Sequence, residues 1–224
     1  MLRKCSLLIL ITAVVGQFEY EEPLLYDTFP EDFVWGVATS AFQVTLHWSK
    51  KILLPNMSWT FHQIEGGWDA DGKGLSIWDT WTEGGVSDGS DAKIACDSYH
   101  NYEEDARIIS ELGATHYRFS ISWARVLPQG TGAENPAGIQ YYKNLIAELK
   151  SRGIKPAVTI YHWDLPQALQ DQGGWLNPDI ASWFEEYARL CFREFGDEVQ
   201  LYLIAPRDKV ISIIRVFVCR LTSG

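Results

Sequence analysis

Apolar and polar positions follow two rhythms along this chain. Short runs rich in β-branched and aromatic residues fall at 33–39, 116–121, 155–161 and 199–204, and each predicts a buried strand. Between them apolar residues recur at helical spacing. Tyr99, Tyr102, Ala106, Ile109 and Leu112 mark one helix, and Tyr142, Leu145, Ile146 and Leu149 a second. Ile180, Phe184, Tyr187, Ala188, Cys191 and Phe195 mark a third, with Asn177 as its cap and Pro178 in its first turn. Gly153 and Gly196 close the second and third helices. Strands alternating with helices predict a parallel α/β sheet, in which ligand chemistry collects where strands end and loops begin. Gln43 lies just past the first strand, Arg118 within the second, and His162, Trp163 and Asp164 end the third. A lone Gln or His at a strand end is ordinarily filler, whereas an Arg inside a strand needs a partner.

Composition narrows the class. The chain has 224 residues, 46% of them hydrophobic, with 10 Trp, 10 Tyr and 10 Phe, which is ample material for a packed core. A net charge of −10 argues against nucleic acid or an anionic membrane as partner. Residues 1–16 have the order of a secretory signal: basic Arg3 and Lys4, an apolar stretch from Leu7 to Val15, and small Gly16. That stretch is too short to span a bilayer. It predicts a mature chain from about Gln17 and a secreted or lumenal protein. The four cysteines (Cys5, Cys96, Cys191, Cys219) form no C-x-x-C pair, and the five histidines show no metal-ligand spacing. Asp69-Ala70-Asp71-Gly72 lacks the remaining ligands of a calcium loop and reads as a turn. Neither a metal nor a cofactor is expected.

Five ordered motifs carry a family resemblance. They are Phe33-Val34-Trp35-Gly36-Val37-Ala38-Thr39-Ser40-Ala41-Phe42-Gln43, Ile64-Glu65-Gly66-Gly67-Trp68-Asp69-Ala70-Asp71-Gly72-Lys73-Gly74, Tyr117-Arg118-Phe119-Ser120-Ile121-Ser122-Trp123, Tyr161-His162-Trp163-Asp164-Leu165-Pro166-Gln167 and Gly173-Gly174-Trp175-Leu176-Asn177. With them the chain resembles glycoside hydrolase family 1, the β-glucosidases and lactase-like and klotho-related proteins. The resemblance implies an incomplete (β/α)8 TIM barrel, about the first four strands and three helices, over residues 17–204. It implies retaining hydrolysis of O-glycosyl bonds in carbohydrate metabolism, with a β-glycoside as ligand. By the same resemblance Gln43 and His162 bind sugar hydroxyls, Trp163 lines that subsite, and Arg118 orients the nucleophilic carboxylate. Amide, imidazole and indole groups suit a hydroxyl array, and a guanidinium fork suits a carboxylate.

The chain departs from the family pattern twice. Residues 44–63 separate Gln43 from Ile64, which the family joins almost directly. This insertion carries Asn56-Met57-Ser58, the one glycosylation sequon. A retained intron is the expected origin, since Val codons begin GT and one Gln codon is CAG; a lineage-specific loop is the alternative. The second departure is the divergent tail, 205–224. Aligning the family's Thr-Phe-Asn-Glu-Pro through 195–199 sets Ile204-Ala205-Pro206-Arg207-Asp208 over it. Arg207 then occupies the acid–base position and Pro206 that of the sugar-binding Asn. Arginine stays protonated and cannot cycle a proton near neutral pH. Asp208 faces the other way on a strand, and Glu65, Glu83 and Glu198 match non-catalytic positions. The nucleophile of the family belongs to a seventh strand. Retaining chemistry needs two carboxyls about 5–5.5 Å apart, so no catalytic residue is expected in this sequence. It reads as a catalytically inactive member, with a sugar- or receptor-binding pseudoenzyme and an aberrant transcript or gene-model product as alternatives. Half a barrel also leaves open sheet edges, which predicts self-association.

Overall fold

The computed structural model describes residues 35–41, 43–44, 61–62, 65–83, 93–199 and 201–203. Strands β1 (Gly36–Ala38), β4 (His116–Ser120), β5 (Lys155–Thr159) and β6 (Leu201–Leu203) form a parallel sheet in that order. A separate antiparallel pair, β2 (Gln43–Val44) and β3 (Phe61–His62), matches Gln43 with His62 and Val44 with Phe61. The segment predicted as an insertion therefore leaves and returns at one place. Helices α2 (Ser98–Glu111), α4 (Pro136–Ser151) and α6 (Ile180–Phe195) are the three long ones. Short helices α1 (Ile77–Glu83), α3 (Trp123–Val126) and α5 (Gln167–Gln170), and two 3-10 turns, add to the three expected helices. A parallel four-stranded sheet with crossover helices is the first half of a (β/α)8 barrel, as the sequence predicted.

Helical periodicity set the packed faces. Tyr142, Leu145, Ile146 and Leu149 of α4 are buried, as are Ile180, Phe184, Tyr187, Ala188, Cys191 and Phe195 of α6. In α2 the stripe holds at Tyr99, Ala106 and Ile109, but Leu112 is exposed because the helix has ended. The α4 terminus is a left-handed turn. Gly153 has φ 74, its N–H donates to Lys150, and Ile154 donates to Leu149. Gly196 closes α6 in right-handed conformation instead. Asn177 does not cap α6 directly: the helix starts at Ile180, and the Asn177 Oδ1 accepts from the Asp179 N–H at 2.8 Å, ordering the turn before it.

β1 corrects the expectation of a buried strand. Gly36 and Ala38 are exposed and Val37 is half-buried. Among the described residues β1 pairs on one side only, with β4. The core sits instead between β4, β5 and the long helices, and it is aromatic. Trp123 stacks on Tyr187 at 4.6 Å, and Phe119 lies parallel to Tyr142 at 6.3 Å. The Tyr187 hydroxyl donates to the carbonyls of Ile160 (2.5 Å) and Ile121 (3.2 Å). One side chain of α6 thereby ties together the carboxyl-side exits of β4 and β5.

Candidate sugar site at the carboxyl ends of the strands

Alternation along β4 separates core from site. Tyr117 and Phe119 are buried, while Arg118 between them is half-buried on the opposite face. The Arg118 Nε donates to Thr159 Oγ1, the last residue of β5, at 2.7 Å. In the sheet register Arg118 stands opposite Ala157, so its side chain leans toward the carboxyl end of β5. Desolvation lowers its affinity for its proton, and no ion pair to it exists among the described residues. Such a guanidinium keeps donors for a ligand or a carboxylate.

Beyond Thr159 the chain runs through buried Ile160 and Tyr161 into His162, half-buried, and Trp163, 37% exposed. Trp163 is left-handed, with φ 74. The strap leading into α1 grips this corner. Trp78 Nε1 donates to the Trp163 carbonyl at 2.7 Å, Ile77 N to Leu165 O at 2.9 Å, and Gln167 N to Leu75 O at 2.8 Å. The chain leaving β1 docks on the same end: Thr39 N donates to Arg118 O at 2.8 Å, and Ala41 N to Ser120 Oγ at 2.6 Å. This brings the start of β2, and with it the backbone of Gln43, to that end of the sheet.

Arg118, His162 and Trp163 thus share the carboxyl side of β4 and β5. The side chain of Gln43 lies outside the described residues, as do Asn56, Pro206, Arg207, Asp208 and residues 1–16. Glu65, Glu83 and Glu198, set aside in the sequence, have structural partners. Glu65 pairs with buried Arg125 and accepts from Tyr142, Glu83 lies 3.8 Å from Lys93, and Glu198 pairs with Lys150. Asp71 accepts from Tyr99 Oη at 2.5 Å. Among the described residues no cluster of His, Cys, Asp or Glu is arranged to hold a metal. Cys191 is a buried free thiol.

One residue escaped the sequence reading. Trp78 shapes the His162–Trp163 corner, and spacing does not advertise it, because the contact joins segments 85 residues apart. In the sequence Asp164 is legible only as part of the strand's end, not as a buried group. Burial pushes the Asp164 carboxyl up to about 7, against the backbone N–H bonds of Asp164 and His162 that lower it.

A half barrel with polar and aromatic residues at the carboxyl ends of its strands belongs to the class of (β/α)-barrel proteins, in which ligands meet the chain at that end. The comparisons give the family. The chain matches the model described as glycosyl hydrolase family 1 over residues 53–219, and it belongs to that family. It is 45% identical to "Beta-glucosidase A" of Acetivibrio thermocellus over 192 residues, 85% of this chain and 38% of that protein. It is 46% identical to human "Lactase/phlorizin hydrolase" over 86% of this chain and 9% of that one. Among solved structures it resembles aphid myrosinase, with TM-score 0.68 and 47% identity over 78% of this chain and 34% of that one. It likewise resembles the β-glucosidase from Thermotoga maritima solved with castanospermine, with TM-score 0.67 and 47% identity over 79% and 36%. The chain spans about 38% of the length of the β-glucosidases it matches.

Proposed function

We propose that this chain binds β-glucosides without hydrolysing them. The observation that carries the reading is the grouping of Arg118, His162 and Trp163 at the carboxyl ends of β4 and β5. Donors and an indole face at the rim of a barrel suit a sugar ring, whose hydroxyls need partners and whose C–H faces stack on aromatics. Gln43 completes the set by sequence. The inactive part of the reading rests on Arg207, which stands at the aligned acid–base position and cannot relay a proton. The order of residues 1–16 and the Asn56 sequon favour a glycosylated protein of the secretory route.

The test pairs a turnover assay with a binding assay on the purified chain. No release of nitrophenol from 4-nitrophenyl β-glucoside above the blank is expected. Methyl β-glucoside is expected to bind by ligand-observed NMR, and His162→Ala to weaken it. Turnover above the blank, or a glycosyl adduct on the chain, refutes inactivity. Absence of binding refutes the sugar site.

A further inference from the structure

Three features converge on the corner after β5. Trp163 holds φ 74, a conformation that bulky residues keep only when their surroundings over-determine it. Its carbonyl is fixed by the Trp78 indole N–H at 2.7 Å. Beneath it Asp164 is 2% exposed. Its Oδ1 accepts from the His162 N–H across a long 3.4 Å, and its own N–H also bonds the carboxyl. Its Oδ2 is buried with no hydrogen-bond partner among the described residues.

An ionised carboxylate is poorly served there. It has two backbone donors on one side and none on the other among the described residues, and it is shut away from bulk solvent. The charged and titratable groups facing it are Glu65 and Lys73, from the chain between β3 and α1, the Tyr187 hydroxyl from α6, and His162 on its own loop. Lys73 is engaged with Asp79 at 2.7 Å, which blunts its help. Glu65 opposes a second negative charge.

We propose that Asp164 and Trp78 are positioning residues: together they hold the left-handed Trp163, and with it His162, in the arrangement a β-glucoside meets, and protonation of Asp164 governs that hold. The sugar part of this inference rests on the function proposed above. Desolvation raises the Asp164 carboxyl to about 7, from an ordinary value of about 3.9. The folded chain therefore keeps the proton after the unfolded chain has released it. The stability that this group contributes is full below about pH 4 and is lost as pH rises through about 7. Above that pH the charged carboxylate must recruit water or shift, and the His162–Trp163 corner shifts with it.

Two readouts test the proposal, one without sugar. Indole N–H resonances of Trp78 and Trp163, assigned with Trp78→Phe and Trp163→Phe, are followed from pH 5 to 8.5. Both are expected to move with a shared midpoint near 7 in the wild type and to stay still in Asp164→Asn, whose amide oxygen can still accept the two backbone bonds. Methyl β-glucoside affinity is expected to fall several-fold across the same range in the wild type and to be pH-independent in Asp164→Asn. In Trp78→Phe it should be weaker at every pH. Indoles that do not titrate overturn the inference. So does a midpoint that survives Asp164→Asn and disappears in His162→Gln. Indoles that titrate as expected while glucoside binds at no pH support the hold of Asp164 on the corner and overturn the sugar reading alone.

Discussion

Replacing Arg125 by methionine perturbs the buried network beneath the rim. Arg125 is fully buried on α3. It pairs with Glu65, donates to the carbonyls of Gly66 and Gly67 at 3.0 Å each, and stacks 4.1 Å over the Tyr99 ring. Burial works against its charge, yet Glu65 and the tyrosines Tyr142 and Tyr141 hold the guanidinium above its ordinary range. Methionine keeps much of the stem and removes the charge and every donor. Glu65 would then retain the Tyr142 hydroxyl, at 2.7 Å, as its one side-chain donor. Unpaired in that place, a carboxylate takes up a proton. Protonating an ordinary glutamate at pH 7 costs about 3.7 kcal/mol, at about 1.4 kcal/mol per pH unit above about 4.3. That figure falls within the roughly 3–5 kcal/mol seen when one partner of a buried pair is removed. We expect a loss of about 4 kcal/mol at pH 7, a large share of the roughly 5–15 kcal/mol that stabilises a domain.

Two controls sharpen this prediction. At pH 5 the protonation cost shrinks to about 1 kcal/mol, so the penalty must fall on acidification. Adding Glu65→Gln to Arg125→Met leaves no buried charge and should recover about 2–3 kcal/mol, although the carbonyls of Gly66 and Gly67 remain short of donors. The assay is urea unfolding followed by tryptophan fluorescence at both pH values and at two protein concentrations. Arg125→Met within about 1 kcal/mol of wild type at pH 7, or a penalty that grows on acidification, would refute the reasoning.

Other outcomes follow from single contacts. Tyr187→Phe removes the hydroxyl that serves the carbonyls of Ile121 and Ile160, and should cost about 1–3 kcal/mol in the same unfolding assay. Gly153→Ala meets open space but must hold φ 74, and should cost about 1–2 kcal/mol. Gly74→Ala places a Cβ 2.0 Å from the Pro128 carbonyl oxygen and should cost about 3 kcal/mol or more. Thermal melts that rank Gly153→Ala as the worse of these two would contradict the close packing of Gly74.

Local pattern was enough wherever a segment's own periodicity fixes what it buries. The strands at 116–120 and 155–159 and the stripe of α6 are where the sequence puts them, because burying those side chains requires that period. The family resemblance was legible for the same reason: its motifs are contiguous. Helix α1 was not legible. It has seven residues, too few to be stable alone, and its place is set by the backbone bonds from the Ile77 N–H to Leu165 and from the Gln167 N–H to Leu75, partners that only the folded chain brings near. Gln43, Arg118, His162 and Trp163 could be named from sequence, whereas the grouping of Arg118 with the His162–Trp163 corner came from parallel register and from Thr159.

By itself, then, the sequence determined the family, the order of strands and helices and the residues that face the core. Tertiary structure alone decided that Glu65 is bound to Arg125 sixty residues away, that Asp164 is buried with one oxygen unpartnered among the described residues, and that Trp78 pins a left-handed Trp163. The physical reason is that periodicity encodes which way a side chain points along its own element. Charge pairing, desolvation and backbone strain depend instead on what arrives from elsewhere in the chain, and no local pattern carries that information.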